Sequence, residues 1–435
     1  LASPNRRDFL KIAAASGAAV SMIPSLGWGQ TTQPRRVVVA LMGSGPRGTT
    51  VASAFASLPG VVVKYVCDVD ETRSAAAAKK VAAKAEANGG SPGPTPLQDF
   101  RKALDDAEVD VLAVAGPNHW HAPAAILACA AGKHAYVEKP CSHNPREGEL
   151  LVEAARKYGR CVQHGTQRRS WPKVVEAIAK VREGAIGNVH FSRGWYANNR
   201  GSIGRGKPGT PPGNLDWSFW QGPAPEREFR DNYAHYNWHW FWQWGNGECG
   251  NNGIHSLDLC RWGLGVDVPT KVTSAGGRYH FQDDQETPDT QFVTYEFGDK
   301  VIHWEGRSCQ PRPVEGGGST HGAAFYGDKG SLIIDRAGYV VYDLKNKEVS
   351  KVEGPSDDAG AQHLQNFVDA VRAGDPTKLN APIAEGAAST LLCHLGNISQ
   401  RTGRTVHVDA GKIVGDNEAA HLWTREYRKG WEPKV

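Results

Sequence analysis

Val37-Val38-Val39-Ala40-Leu41-Met42-Gly43-Ser44-Gly45-Pro46-Arg47-Gly48 is the stretch that decides the fold. Val37 to Met42 is a short apolar run, mostly β-branched at its start, of the kind that forms a buried strand. It leads into Gly43-Ser44-Gly45-Pro46-Arg47-Gly48, which fits G-x-G-x-x-G, and residues 49–58 then offer a helical run with Val51, Ala54, Phe55 and Leu58 on one face. Strand, glycine loop and helix in that order give each glycine its own task. One makes the tight turn, one lets backbone approach a pyrophosphate, and one lets helix and strand pack closely. The phosphate would rest on the unpaired amides and positive dipole of the helix start. A second apolar run, residues 61–66, ends in Cys67-Asp68, and Asp68 lies 68 − 43 = 25 residues past the first glycine. That is close to the spacing of about 20 at which a carboxylate takes the adenosine ribose hydroxyls. The plain alternative is a surface turn followed by a solvated Asp, and the βαβ context weighs against it.

The chain has 435 residues, enough for two or three domains. Hydrophobic content of 40% and charged content of 22% are those of an ordinary globular protein, and a net charge of +4 without a long basic run gives no reason to expect nucleic acid. The eight cysteines show no C-x-x-C and no metal-ligand spacing; Cys67, Cys129, Cys260 and Cys393 sit in apolar runs and read as buried small hydrophobes. Residues 1–30 stand apart. Asn5-Arg6-Arg7-Asp8-Phe9-Leu10-Lys11 resembles the twin-arginine export signal, and residues 12–23 after it are too short and too rich in alanine and glycine to span a bilayer. Gly27 and Gly29 leave a cleavage point before Gln30. The expectation is a partner in the twin-arginine export machinery and no membrane insertion. The mature protein is expected in the periplasm, or otherwise exported, in a bacterium. That route, as the resemblance implies, carries folded proteins, which suits an enzyme that loads a cofactor in the cytoplasm and holds it tightly.

Residues 72–88 read as a helix, 92–96 as a loop, 100–104 as a short helix and 109–115 as a third strand, ending in Gly116-Pro117-Asn118-His119-Trp120-His121. Ligands of open parallel sheets bind beyond the carboxyl ends of the strands, so this tip is expected in the cofactor cleft. A helix over 123–131 and a fourth strand over 134–137 follow, the latter ending in Glu138-Lys139-Pro140. G-x-G-x-R-G, Cys-Asp, P-N-x-x-H and A-G-K-H-x-x-x-E-K-P, in this order, resemble the Gfo/Idh/MocA family of sugar oxidoreductases. The resemblance implies a Rossmann dinucleotide-binding domain over 35–165 and an α+β substrate and oligomerisation domain over 166–435 with a large open, mainly antiparallel sheet. It implies a homo-oligomer and cofactor contacts from Gly43, Gly45, Pro46, Arg47, Gly48, Asp68, Asn118, His121, Glu138 and Lys139. Lys139 would lie beside the nicotinamide and the reacting hydroxyl, and Pro140 would be cis. Asp68 favours NAD over NADP, because it would repel a 2′-phosphate. Without the family, Glu138 and Lys139 could be a surface ion pair of little worth; their place at the end of a buried strand, opposite the phosphate loop, favours chemistry.

In the second half, Gln167 and Arg168 are candidates for the substrate pocket, by the same resemblance. From Val189 the pattern alternates with period two through six segments, the strands of a mainly antiparallel sheet. Helices over 363–373 and 383–401 close the fold. Residues 233–244, Tyr-Ala-His-Tyr-Asn-Trp-His-Trp-Phe-Trp-Gln-Trp, are too dense in aromatics for one core face. They read either as a packed loop or as platforms, Trp238 among them, that stack on sugar faces. His235 and His239 have a spacing that could bind zinc, but no acidic third ligand follows, so no metal is expected. The family's second motif has an Asp four residues before a His; here His255 and Asp258 match, but the Asp position holds Asn251. Asn cannot charge and orient an imidazole as a carboxylate does. Asn251, Asn252 and His255 are assigned to the substrate.

The reading is an exported oxidoreductase with a tightly held nicotinamide, acting on a carbohydrate hydroxyl. His255 would take the hydroxyl proton and Lys139 would steady the developing alkoxide while the cofactor accepts hydride. Two other readings stay open: a redox-neutral, NAD-dependent glycosidase of the same family, and a non-catalytic carbohydrate-binding protein on this scaffold.

Overall fold

The computed structural model describes residues 35–87, 92–315, 319–354 and 360–435. The twin-arginine segment lies outside the described residues. Residues 35–435 form one compact unit.

The first half alternates strands and helices: β1 (Val37–Met42), α1 (Pro46–Phe55), β2 (Val61–Cys67), α2 (Glu71–Glu86), β3 (Thr95–Leu97), α3 (Arg101–Leu104), β4 (Val111–Val114), α4 (Asn118–Ala130), β5 (His134–Val137), α5 (Pro145–Lys157) and β6 (Val162–His164). Among the described residues these strands make a six-stranded parallel sheet of order β3-β2-β1-β4-β5-β6. The apolar run of β1 is buried throughout because it feeds two cores. Val37, Val39 and Leu41 pack on the side of α1 and α2, and Val38, Ala40 and Met42 on the side of α3, α4 and α5. Such two-sided burial is the reason a parallel strand reads as continuously apolar. The order reverses between β2-β1 and β4, which opens a crevice beyond the strand ends there.

The second half contributes α6 (Pro172–Arg182), β7 (Val189–Ala197), α7 (Trp217–Gln221), α8 (Ile254–Leu264), β8 (Lys271–Gly277), β9 (Thr290–Phe297), β10 (Lys300–Arg307), β11 (His321–Gly327), β12 (Gly330–Ile334), β13 (Gly338–Asp343) and β14 (Glu348–Glu353). It ends with α9 (Gly360–Ala373), α10 (Ile383–Thr402), β15 (Val406–Asp409), β16 (Lys412–Val414) and α11 (Asn417–His421). Among the described residues the strands form a ten-stranded sheet, β14-β13-β12-β11-β7-β10-β9-β8-β15-β16. It is antiparallel except that β7 and β10 run parallel at its centre. Helices α6, α8 and α10 cover one face, burying Leu257, Trp304, Phe325 and Leu395 among others. Helix α9 instead crosses to the first sheet, where Phe367 meets Phe55 with ring centres 6.3 Å apart. The aromatic C-terminal tail is also part of the first half's core: Trp431 packs on Trp120, centres 5.4 Å apart.

Two expectations shift here. Residues 95 and 96, expected in a loop, belong to the edge strand β3 (Thr95–Leu97) despite Pro96, which costs little at an edge. Helix α4 begins at Asn118, with Pro117 as its extended cap residue, and carries Pro123 inside it. The strand tip is therefore already the first turn of a helix.

Candidate active site

The three glycines of the loop divide their work as their surroundings demand. Gly43 has φ of +89°, and a Cβ there would stand 2.5 Å from the Gly116 nitrogen. At Gly48 a Cβ would be 1.8 Å from the Gly43 carbonyl oxygen, so this residue lets α1 pack down. At Gly45 the nearest atom to a Cβ would be Nη1 of Arg73, 4.0 Å away. The backbone there opens into the crevice, at the start of a helix whose first amides have no intrahelical partner. Asp68 holds the loop in place: the Ser44 amide and hydroxyl donate to Oδ2 at 2.7 and 2.8 Å, and the Asp70 amide donates to Oδ1 at 3.0 Å. A carboxylate has about four lone-pair sites, so capacity remains for a hydroxyl.

The crevice encloses about 330 Å³, and Gly43, Gly45, Pro46, Arg47, Asp68, Asn118, His121, Glu138, Lys139, Trp238 and Asn251 all line it. Gln167, Arg168, Asn252 and His255 lie outside this lining. Arg47 donates from Nε to Glu138 at 2.8 Å. Burial by itself would raise the Glu138 carboxyl, but the Arg47 guanidinium and then the Lys139 ammonium hold it below the usual carboxylate range. His121 braces the strand ends, its two ring nitrogens on the carbonyls of Pro140 and Gly116. The Lys139–Pro140 bond is cis.

Lys139 donates to the Asn251 backbone oxygen at 2.6 Å and to its Oδ1 at 3.1 Å. Burial pushes its ammonium down to about 8; Glu138 opposes this and Arg47 adds to it. The reason Asn251 faces the lysine is local. Cys249–Gly253 is a π-helical turn, wider than an α-turn, that leads into α8. It breaks the four-residue register that would bring residues 251 and 255 to one face. The Asn251 amide donates to Glu248 at 3.4 Å, Asn252 donates to the same oxygen at 2.5 Å, and Arg200 closes the group with a contact to Glu248 at 2.5 Å. Asp258 serves structure: Arg169 forks onto it at 2.9–3.0 Å, and Ser389 donates to it at 2.6 Å.

His255 sits with its ring centre 6.0 Å from that of His321, edge to face, and Arg168 donates to His321 Nδ1 at 3.1 Å. Burial, followed by the charges of Lys139, His321 and Arg168, keeps the His255 imidazole well below its usual range, hence neutral at pH 7. Its Nδ1, His321 Nε2 and Gln167 Oε1 are buried without a protein partner. Glu248, Arg200 and His321 were not anticipated. A carboxylate three residues before Asn251 was readable in the motif; nothing in the sequence points to a histidine on β11.

The aromatic run is mainly a packed cluster of its own. Trp217 stacks on Trp220 with centres 4.7 Å apart, and Tyr233 and Trp244 close around them. Its edge nonetheless reaches the crevice through Trp220, His235, Tyr236, Trp238 and His239. The segment is fastened to the β2–α2 junction. His235 Nε2 lies 3.0 Å from Asp70, Asn214 donates to Asp70 at 2.7 Å, and backbone bonds join Glu71 to Asn214 and Asp216 to Val69. His239 stacks on Trp238, centres 3.6 Å apart. Among the described residues no group of three or more His, Cys, Asp or Glu could hold a metal.

Residues 37–166 match the oxidoreductase family described as "NAD-binding Rossmann fold", residues 194–433 its "C-terminal alpha/beta domain", and residues 3–22 the twin-arginine translocation signal sequence, which directs export. The chain is 31% identical over 217 residues to a glycosyl hydrolase family 109 protein of Saccharopolyspora erythraea, 45% of this chain and 46% of that protein. It is 28% identical over 227 residues to a levoglucosan dehydrogenase of Pseudarthrobacter phenanthrenivorans, 52% of this chain and 51% of that protein. The chain thus spans about half the length of these curated relatives. In fold it is like a levoglucosan dehydrogenase solved in complex with NADH and levoglucosan, with a TM-score of 0.65 at 20% identity over 86% of this chain and 100% of that one. With its glycine loop, E-K-P turn and two-sheet architecture, the chain belongs to the Gfo/Idh/MocA oxidoreductase family.

Proposed function

We propose that this chain is a periplasmic oxidoreductase that acts on a hydroxyl of a sugar or glycoside and keeps its NAD between turnovers. The observation that carries the reading is Lys139. It stands at the end of β5 in the dinucleotide crevice, with two of an ammonium's three donors on Asn251 and the third left for a substrate oxygen. The Gly45 backbone and the first amides of α1 would hold the pyrophosphate, Asp68 the adenosine ribose, and Asn118 the nicotinamide end. Asp68 also selects against a 2′-phosphate. When bound, the nicotinamide supplies hydride acceptance and return.

The side chains supply the rest. Neutral His255 takes the hydroxyl proton at Nε2, the ring nitrogen opposite the buried Nδ1. Lys139, as ammonium, steadies the developing alkoxide. Gln167, Arg168 and Asn252 take the remaining sugar hydroxyls, and Trp238 one face of the ring. The test is incubation with sugars and glycosides, followed by mass spectrometry of the products. The expected product is the sugar less one hydrogen molecule. Cleavage of a glycoside with no change in redox state would favour the glycosidase reading, which the 31% relative and the absence of a carboxylate at position 251 support. Binding without any product would leave a binding protein.

Asn251→Asp places a carboxylate against Lys139 and favours its ammonium form. Activity that needs the ammonium is present below the Lys139 pKa of about 8 and lost as pH rises through it. The variant should therefore keep kcat/KM to higher pH than wild type. Superimposable profiles would remove the Asn251–Lys139 contact from the account.

The contact of His235 with Asp70 supports tight retention. His235→Ala is expected to speed release of NAD by about tenfold, the weight of one hydrogen bond to a charged group. Displacement of bound NADH, followed by its fluorescence, measures this; an unchanged release rate would assign retention elsewhere.

A further inference from the structure

A second cavity, of about 310 Å³, lies one hydrogen bond from the crevice. Asn118, in the crevice, donates to Asn246, in the cavity wall, at 3.0 Å. The cavity is built by the end of α10, the segment after α11 and the loops before α5 and α8. Three arginines line it: Arg227, Arg401 and Arg425. Arg227 is paired with Glu286 at 3.2 Å. The other two form no ion pair among the described residues. Arg401 makes neither a hydrogen bond nor an ion pair among the described residues, and its guanidinium lies 5.2 Å from the Trp242 ring centre. Arg425 donates to His143 Nδ1 and to the Glu426 backbone oxygen, both at 3.2 Å.

The carboxylates around Arg425 do not neutralise it. Glu147 attracts it, but the Glu147 oxygens accept from the Tyr427 hydroxyl at 2.9 Å and the His143 amide at 2.9 Å. Glu426 lines the cavity but is exposed, and it meets Arg425 through its backbone. Desolvation lowers both guanidinium pKa values; Glu286 near Arg401 and Glu147 near Arg425 oppose it without restoring them. His143, half-buried, and His394, buried, are held neutral by desolvation and add no charge of their own. The cavity is thus a polar chamber in which Arg425, half-buried, and Arg401, exposed, carry charges that no ion pair matches among the described residues, which suits a ligand of opposite sign. Asn246, Asn397 and Gln243 add amide groups to its wall.

We propose that this cavity is a binding site for a small oxyanion, a carboxylate- or phosphate-bearing molecule gripped by Arg401 and Arg425. Their planar forks suit either group, and the cavity is roomier than inorganic phosphate alone requires. The site is separate from the dinucleotide crevice and does not depend on the reading proposed for it.

The test is titration calorimetry on the mature protein saturated with NAD, which keeps the glycine loop from competing. Inorganic phosphate and malonate are the probes, with sodium chloride of equal ionic strength as reference. One site per chain is expected for at least one probe, and the better probe tells phosphoryl from carboxylate ligands. Arg401→Gln, on an exposed helix end, should weaken binding by about tenfold or more, and Arg425→Gln likewise. Lys139→Met should leave binding unchanged. No heat above the chloride reference for either probe, or equal affinity in Arg401→Gln, overturns the proposal.

Discussion

Lys139→Met lowers turnover by about a hundredfold or more, the usual consequence of removing one preorganised donor from a developing oxyanion, while fold and bound nucleotide stay as they are. The fold should tolerate the change because the side chain is only half-buried at the crevice, and Met keeps its length and apolar stem. What is lost is the ammonium, whose charge the surroundings barely sustain: burial has brought it down to about 8. The measurement is kcat at saturating sugar, beside circular dichroism and the nucleotide content of the purified variant. A variant retaining more than half the wild-type rate would remove Lys139 from the mechanism. A variant that loses its nucleotide would recast the lysine as a cofactor ligand.

His255→Gln is the second large effect, a loss of about a hundred- to ten-thousandfold in kcat, the range for general-base catalysis. His255 has no carboxylate behind it. Its neutrality comes from burial and from neighbouring positive charge, so its acid limb should lie well below that of an ordinary histidine. A base works when neutral, so wild-type activity is present above that limb and falls as pH drops through it. The variant should be slow at every pH and lack the limb. An unchanged acid limb in His255→Gln would assign it to another group.

These two residues also mark how far the sequence could be read. The glycine loop was legible because a backbone that turns at Gly43 and packs closely at Gly48 leaves few other residues possible there, and Asp68 because it follows the loop at a telling spacing. The strand ending in Glu138-Lys139-Pro140 was legible from its apolar run and from the resemblance. The relation of Asn251 to His255 was not. A four-residue spacing reads as one α-turn, whereas Cys249–Gly253 winds as a π-turn and hands Asn251 to Lys139. Glu248 was not legible because the family motif carries its carboxylate four residues before the histidine, whereas this one works through Asn251, Asn252 and Arg200. His321 escaped because a strand residue gains a role only when β11 is placed beside β7, a pairing set by tertiary contacts. The tryptophan run looked undecidable because it does two things at once: most rings pack on each other, and one edge closes the crevice.

The most direct test of the central claim needs no added nucleotide. Purified mature protein is mixed with a substrate sugar and its absorbance is followed at about 340 nm, where reduced nicotinamide absorbs. The account predicts a rise of one equivalent per active site in the wild type, reversed by a second sugar that accepts the hydride, and no rise in Lys139→Met. A protein that carries no nucleotide, or that binds sugars with no change in absorbance and no product, would contradict it.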